Sequence, residues 1–228
     1  MKSKILIIIF SILFFSKGST ENISIEAKNI SIDKDKVTSI FKNEVVVKTK
    51  DKTIKSDYVK YNKKTGLLII KNNIIVKDIN NNTIRTNYAE YNERNQIFKS
   101  IGLTNIETSE KYLLDGEDII IDNKSKIINS NKPSILKDQD NNKIYLDNFE
   151  YLLIDNIFKS IGSIKIKDKT SNVYEFSQVY IDTKKKEILG TDTKAFLNSE
   201  NFKENKNNNP RIFSNTIKLT KDKSSFEK

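Results

Sequence analysis

The hexapeptide Ile97-Phe98-Lys99-Ser100-Ile101-Gly102 occurs a second time, letter for letter, as Ile157-Phe158-Lys159-Ser160-Ile161-Gly162. It is the clearest instance of a pattern that returns every 30 residues from Ile54 to Phe196, without an insertion or a deletion. A fixed period of this length indicates stacked supersecondary units, because one unit alone cannot bury its apolar face until a neighbour covers it. The repeat therefore predicts one repeat-built domain rather than several independent ones.

Five positions of the repeat are apolar in every unit, although Lys, Asn, Asp and Glu are common elsewhere in the chain. One such column is Ile54, Ile84, Leu114, Ile144 and Tyr174. The other four columns form the candidate inner face of the domain: Val59, Ala89, Ile119, Phe149 and Val179; Tyr61, Tyr91, Ile121, Tyr151 and Ile181; Leu68, Phe98, Ile128, Phe158 and Ile188; Val76, Ile106, Leu136, Ile166 and Phe196.

Apolar residues two positions apart, such as Val59/Tyr61 and Ile74/Val76, predict half-buried strands. The alternation slips by one residue near Asp57-Tyr58, which predicts a bulge where the strand bends. Residues rich in Asn, Asp and Ser fall at the same two places in each unit and predict turns, because their short side chains bond their own backbone. The sequence therefore predicts an all-β fold.

The composition excludes several kinds of chemistry. The chain has no Cys and no His, so it forms no disulfide and no metal site based on those residues. Paired carboxylates would be needed for acid–base catalysis, and the sequence gives no reason for Asp57, Asp118, Asp147 and Asp182 to converge. We therefore expect no enzyme, no catalytic or metal-binding residues and no cofactor.

The formal net charge of +10 fits an anionic partner such as a phosphorylated glycolipid. It fits equally well a set of solvated Lys side chains spread through turns beside Asp and Glu. No Arg-rich or aromatic-interleaved basic patch points to nucleic acid, and we expect no nucleic-acid partner.

The ends of the chain differ from the repeat. Residues 1–18 resemble a secretory signal peptide, with Lys2 and Lys4 before an apolar run from Ile5 to Phe15. Residues 19–198 are predicted to form the repeat domain, and the polar residues 199–209 a loop or linker. Residues 210–228 restart the pattern and are predicted to be an incomplete terminal repeat.

Three segments carry a resemblance to a known family: Ile54-Lys55-Ser56-Asp57-Tyr58-Val59-Lys60-Tyr61, Ile84-Arg85-Thr86-Asn87-Tyr88-Ala89-Glu90-Tyr91 and Leu114-Asp115-Gly116-Glu117-Asp118-Ile119-Ile120-Ile121. Repeated behind a signal peptide, this motif resembles the lipopolysaccharide-transport family with the OstA-like domain. That family includes the periplasmic bridge protein LptA and the N-terminal domain of the outer-membrane assembly protein LptD. The motif is degenerate, and its recurrence from about Ile23 to the chain end carries the resemblance.

The resemblance implies an open, V-shaped β-jelly roll whose inner face, formed by the four candidate columns, binds the acyl chains of lipopolysaccharide. It also implies a periplasmic, outer-membrane-associated location. The implied partners are lipopolysaccharide, other OstA-like bridge domains joined through edge strands, and an outer-membrane barrel component. The sequence lacks the large membrane barrel of LptD, so lipid insertion by this chain itself is not expected.

Three questions stay open at this point. An ordinary filled core explains each apolar column as well as a lipid groove does, since burying one such side chain contributes about 1.5–3 kcal/mol. The small residues of one further column (Ser100, Ser130, Ser160 and Gly190) either leave room for a ligand or lie beside turns. Apolar columns in register also fit a parallel β-solenoid, typical of a secreted adhesin or surface-layer module.

Overall fold

The computed structural model describes residues 23–34, 36–198, 210–220 and 224–227. These residues form strands and turns, and among them no helix is long and apolar enough to cross a membrane. The predicted signal peptide and the predicted linker at residues 199–209 lie outside the described residues.

Nineteen strands follow one another along the described chain: β1 (Ser24–Glu26), β2 (Asn29–Ile32), β3 (Thr38–Lys48), β4 (Lys52–Asn62), β5 (Leu67–Asp78), β6 (Thr83–Asn92), β7 (Ile97–Ser100), β8 (Leu103–Glu107), β9 (Leu113–Glu117), β10 (Ile120–Asp122), β11 (Ile127–Ser130), β12 (Ser134–Lys137), β13 (Lys143–Leu146), β14 (Phe149–Leu152), β15 (Ile157–Lys167), β16 (Val173–Asp182), β17 (Glu187–Phe196), β18 (Arg211–Leu219) and β19 (Ser224–Glu227).

All strand pairs are antiparallel and belong to one sheet, so the all-β prediction is confirmed. In each 30-residue repeat the chain crosses the sheet twice, in opposite directions. β4 pairs with β5, β5 with β6, and β15 to β18 continue in the same way. The alternative of a parallel solenoid is wrong, because successive strands join through short turns that reverse the chain direction.

The sheet is folded lengthwise into two walls. Wall A consists of residues 29–32, 39–42, 58–62, 67–71, 88–92, 157–161, 178–182, 187–191 and 216–219 with β7, β10, β11, β14 and β19. Wall B consists of residues 45–48, 52–55, 74–78, 83–86, 164–167, 173–176, 193–196 and 211–214 with β1, β8, β9, β12 and β13. This is an open β-jelly roll of two walls.

The walls meet at a line of bulges and breaks that we call the vertex. The ladder changes register between Lys42 and Val45, between Lys55 and Tyr58, and between Ile161 and Ile164. The shift at Lys55/Tyr58 confirms the bulge predicted from the sequence. Left-handed backbone at Asn72 and Asp192 lies on the same line, at residue types that tolerate it. A bulge bends its strand, so a column of bulges folds the whole sheet.

Each wall ends opposite the vertex in a row of turns. Rim A contains the turns at residues 63–66, 93–96, 123–126, 153–156 and 183–186, and rim B those at residues 49–52, 78–82, 108–112, 138–142 and 168–172. We call the space between the two rims the mouth. The hydrophobic core lies between the walls, from Phe41 to Ile217.

Candidate functional site

All but three of the twenty predicted inner-face residues are buried between the walls. They are Val59, Leu68, Val76, Ala89, Tyr91, Phe98, Ile106, Ile119, Ile121, Ile128, Leu136, Phe149, Tyr151, Phe158, Ile166, Val179 and Ile181. Near the middle of wall A, the Tyr151 and Phe158 rings stack with centroids 4.0 Å apart, and Phe149 tilts against Phe158 at 6.1 Å. The inner face is therefore a continuous apolar surface. That these residues bind lipid stays a prediction.

Tyr61 and Ile188 are half-buried and still pack against the core. Phe196 lies on the outer face, so its predicted inward position is wrong. It pairs with Val173 and Arg211, next to the inner pair formed by Tyr174 and Ala195.

The error at Phe196 has a local cause in the vertex. In β5 the inner residues on either side of the vertex are Ile70 and Ile74, four positions apart. In β17 they are Gly190 and Thr193, three positions apart, because this strand lacks the extra residue and its ladders with β16 and β18 keep their register. A one-residue slip moves every later side chain to the other face. Ala195 therefore takes the inner place, and Arg211 covers the outward Phe196 ring at 5.7 Å.

The column of small residues (Ser100, Ser130, Ser160 and Gly190) lies at the vertex, and the space beside it is filled and leaves no room for a ligand. The hydroxyls of Ser100, Ser130 and Ser160 donate to the backbone carbonyls of Ile119, Glu117 and Asn148, at 3.4, 2.6 and 2.7 Å. At Gly190 the Phe176 ring occupies the space that a side chain would take, 2.1 Å from the position of a Cβ atom. Ser100 and Ser130 lie close to bends at the vertex, so the column lies beside those bends and not beside the turns of the rims.

Rim B is held together by a ladder of asparagines. In the turn at 138–142, Asn142 donates its side-chain amide to Asp138 at 2.6 Å, and its Oδ1 accepts the backbone N–H of Lys169 in the next turn at 3.1 Å. Asn82 and Asn172 make the same two bonds, to Asp78 and Ser109 and to Asp168 and Asn198. Each asparagine thus ties its own turn to the following one.

Within the described part of the chain, the two rims contact each other only through side chains. Asp51 of rim B forms an ion pair with Lys126 of rim A at 3.6 Å, and Lys186 of rim A donates to Gln139 of rim B at 2.6 Å. No strand pair and no backbone hydrogen bond between described residues joins rim A to rim B. The walls are therefore joined by backbone along the vertex and not across the mouth.

The Asp51 contact is the most buried of these links. Lys52 lies beside it, 3.1 Å from Asp51 and with its ammonium 5.1 Å from the centroid of the Tyr91 ring in wall A. Burial alone would raise the pKa of Asp51, but the charges and hydrogen bonds of Lys52, Thr49 and Lys126 outweigh it and hold that pKa below its usual value. Asp51 is therefore a carboxylate at neutral pH.

A cavity of about 320 Å³ opens into the mouth at its C-terminal end. Its floor is apolar and comes from both walls: Ile144, Ile166 and Tyr174 of wall B, and Ile188 and Leu219 of wall A. Its margin is polar and carries three carboxylates, Asp138, Asp140 and Asp168, beside the ammonium groups of Lys169 and Lys186. We call it the C-terminal cavity. Ligand sites in proteins begin at about this volume and combine an apolar lining with a few polar groups.

A second cavity, of about 330 Å³, lies earlier along the mouth and has a polar lining. Asn80, Asn82 and Glu110 of rim B face Leu153 and Asn156 of rim A across it, and Tyr151 also lines it. We call it the polar cavity. Tyr112, with 4% of its surface exposed, lines the C-terminal cavity on the side towards the polar cavity.

Sequence reasoning missed Tyr112 and the cavities. Tyr112 stands where three other turns of rim B have asparagine (Asn82, Asn142 and Asn172) and the turn at 49–52 has Lys52, and a repeat alignment shows that departure. The cavities depend on how far one wall is shifted along the other. Asp51 lies in the first described turn of rim B, and it faces Lys126 in the fourth turn of wall A, counted from the turn that begins at residue 33. No residue pattern within one repeat encodes that stagger.

No group of three or more His, Cys, Asp or Glu among the described residues is arranged to hold a metal ion.

The ends of both walls carry strands with one free edge among the described residues. β1 and β2 pair only with β3, while the wall B half of β18 pairs only with β17. Ile30 and Ile32 of β2 lie on the inner side of wall A and are 56% and 64% exposed. They extend beyond wall B because of the stagger.

No family model and no curated protein matches the sequence. Among solved structures, a match is the crystal structure of LptH, the LptA homologous periplasmic component of the conserved lipopolysaccharide transport device from Pseudomonas aeruginosa. The chain is similar to LptH. The comparison covers 84% of this chain and 94% of LptH, with 12% sequence identity and a TM-score of 0.23. LptH is named as homologous to LptA, a member of the family that the repeat motif resembles.

Proposed function

We propose that the chain is a periplasmic lipopolysaccharide transport and assembly module. It binds the acyl chains of the glycolipid between walls A and B, and it passes them toward the outer membrane by pairing end to end with like domains. An outer-membrane barrel component is the proposed final acceptor. A signal peptide at residues 1–18 would direct the chain across the inner membrane.

The observation that carries the proposal is the construction of the mouth. Two apolar walls are joined by backbone along the vertex, while the rims are linked by side chains such as Lys186 and Gln139. Side-chain contacts at a solvent-exposed rim contribute little, about 0–1 kcal/mol for an exposed ion pair. A ligand that buries hydrocarbon gains about 0.8 kcal/mol per methylene, which is enough to separate such contacts.

The margin of the mouth fits the polar part of a glycolipid. Lys126, Lys169 and Lys186 lie along it, and the formal net charge of the whole chain is +10. Ammonium groups bind phosphate well, and they are offered here beside an apolar floor. An amphiphile with fatty acyl chains and a polar headgroup fits the C-terminal cavity if its anionic groups meet Lys169 and Lys186 and its hydroxyl groups meet the carboxylates of Asp138, Asp140 and Asp168.

End-to-end pairing is supported by the terminal strands. A strand with one unpaired side offers backbone donors and acceptors to a neighbour, and natural proteins usually block such edges. β2 instead exposes Ile30 and Ile32 beside its free edge. A second domain that extends wall A would cover both side chains.

A second candidate function is that of a secreted structural module, such as an adhesin or surface-layer unit built as an antiparallel sheet. The close burial of the inner side chains favours it, since Leu68, Tyr91 and Leu136 have no exposed surface. This candidate requires that the walls stay together and that the mouth admits nothing.

Site-specific photo-crosslinking in cells distinguishes the two functions. Ile188 lines the C-terminal cavity, and its chain neighbour Leu189 points to the outer face and is 46% exposed. A photoreactive residue at 188 is expected to give a lipopolysaccharide adduct, and the same residue at 189 is the matched control. Probes at Phe149 and Phe158 test whether acyl chains reach deeper. Absence of an adduct at 149, 158 and 188, or equal adducts at 188 and 189, would contradict lipid binding between the walls.

A further inference from the structure

Tyr112 interrupts the asparagine ladder of rim B. Asn82, Asn142 and Asn172 occupy the equivalent place in three other repeats, and each bonds to the Asp four positions before it. In the turn at 108–112 the aspartate is replaced by Thr108, which accepts the backbone N–H of Tyr112 at 3.1 Å. The link to the next turn is made instead by Gln139, which donates to the carbonyl of Glu110. The turn therefore keeps its shape, although the side chain of its fifth residue, Tyr112, does not make the bonds that asparagine makes in the other turns.

The Tyr112 side chain points into the space between the walls, where it lines the C-terminal cavity together with Lys186 of rim A and Ile188 of wall A. Burial raises the pKa of its phenol, and so do Asp138 on its own rim and Tyr151 and Asp182 on the opposite wall. With 4% of its surface exposed, Tyr112 is part of the hydrophobic core between the walls.

Along rim B, the two cavities lie on either side of the turn at 108–112, and Tyr112 lines the C-terminal cavity. On rim B the polar cavity ends at Glu110 and the C-terminal cavity begins at Tyr112. On wall A, Tyr151 lines the polar cavity, and its hydroxyl lies 3.5 Å from Oγ1 of Thr183, in the turn of rim A that also carries Lys186 of the C-terminal cavity. The apolar floor belongs to the C-terminal cavity alone.

We propose that Tyr112 is the stop that ends the apolar part of the mouth and thereby limits the length of the acyl chain that the C-terminal cavity accepts. The inference rests on the proposed function and adds a selection by chain length to it. A hydrocarbon chain seated on Ile166 and Ile188 can extend towards the open C-terminal end of the mouth, but in the other direction it meets the ring. Methylenes beyond the available length remain in water and add no affinity.

The test is the affinity of the purified chain for sodium salts of saturated fatty acids of increasing length, from octanoate to octadecanoate, measured by calorimetry below their micellar concentrations. In the wild type, affinity is expected to rise about four-fold for each added methylene and then to level off. Tyr112→Asn, which restores the residue of three other repeats, is expected to move that limit to longer acids. Tyr112→Trp, with a larger ring, is expected to move it to shorter ones.

Two controls accompany these variants. Tyr112→Phe keeps the ring and is expected to keep the wild-type limit, while Tyr145→Asn changes a tyrosine on the outer face that is 38% exposed. Circular dichroism identifies which variants are folded, and either the Asn or the Trp variant is sufficient to decide. An unchanged limit in a folded Asn or Trp variant would overturn the role of Tyr112 and leave the proposed function standing. No binding of any acid by the wild type would overturn both.

Discussion

At the scale of single residues, Phe149 tests the assignment of the inner face. Its side chain is 2% exposed and lies against the Phe158 ring. Phe149→Asp places a carboxylate among apolar side chains and is expected to lower the free energy of unfolding by at least about 3 kcal/mol, or to unfold the domain. Urea denaturation followed by circular dichroism measures the loss, and lipid binding should disappear with it.

The matched control for Phe149→Asp is Lys64→Asp in a turn of rim A. The Lys64 side chain is exposed, and only its backbone carbonyl is used, as the acceptor of a bond from Arg94. Stability is expected to change by less than about 0.5 kcal/mol. Equal losses in the two variants would show that the faces of wall A are assigned wrongly.

Asp51 makes the closure of the mouth depend on pH. Its pKa is lowered in the folded chain, because Lys52 and Lys126 outweigh the effect of burial. A carboxylate with a lowered folded pKa stabilises the fold above its unfolded pKa, and that stabilisation is lost as the pH falls through the lowered value. Wild type is therefore expected to be more stable than Asp51→Asn at neutral pH, and the difference should vanish on acidification.

Urea midpoints of both proteins from neutral to strongly acidic pH measure this difference. Subtracting the two curves removes the shared contributions of Asp122 and Asp182, whose pKa values are lowered mainly by the backbone N–H groups of their own turns. A difference that is constant or grows on acidification would contradict the assigned role of Asp51.

Residue identity alone predicted most of the inner face. In a chain rich in Lys and Asn, columns of Ile, Leu, Val and Phe are expected to be buried in the core, and Val59, Leu68 and Phe158 are buried there. Phe196 and Tyr112 could not be assigned in this way. The position of Phe196 depends on an extra residue that β17 lacks at the vertex. The role of Tyr112 depends on which residues of wall A lie opposite it across the mouth.

At the scale of elements, the asparagine ladder of rim B is expected to stabilise the turns additively. Asn142→Ala removes the bond to Asp138 and the bond from Lys169. At about 1 kcal/mol for each bond, the loss is about 2 kcal/mol, or about 4–8 °C in Tm for a chain of this size. Differential scanning calorimetry measures it.

Asn129→Ala is the control for Asn142→Ala. Asn129 lies on the outer face of β11, and its side chain makes no hydrogen bond within the described residues. Its replacement should leave the Tm nearly unchanged. If both variants lose the same amount of stability, the ladder contributes nothing specific.

The edge strand β2 carries the prediction about assembly. Light scattering is expected to show concentration-dependent growth of the wild type, because β2 exposes Ile30 and Ile32 beside a free edge. Ile32→Lys places a charge at that edge and should shift the equilibrium to the monomer. Ile79→Lys, at a rim B turn position that is 72% exposed, should not. A strictly monomeric wild type at all concentrations would contradict end-to-end pairing.

At the scale of the whole molecule, the 30-residue period predicted a sheet in which each repeat contacts its neighbours. It did not distinguish parallel coils from an antiparallel meander, because both place the same columns in register. The short turns between paired strands make that distinction. The stagger of the walls, which brings Asp51 to Lys126, has no signature in any single repeat.

The central claim is that the mouth opens to admit acyl chains between the walls. The chain has no native cysteine, so Gln139→Cys and Lys186→Cys, on opposite rims at the C-terminal cavity, can be joined selectively by a short bismaleimide. Single-cysteine variants treated in the same way control for the modification itself.

Transfer of lipopolysaccharide from labelled vesicles to the purified chain is the direct measurement. The account predicts that the cross-linked double variant takes up little lipid, while the untreated double variant and the treated single variants load like the wild type. Equal uptake by the cross-linked protein would show that lipid does not enter between the rims, and the account would be contradicted.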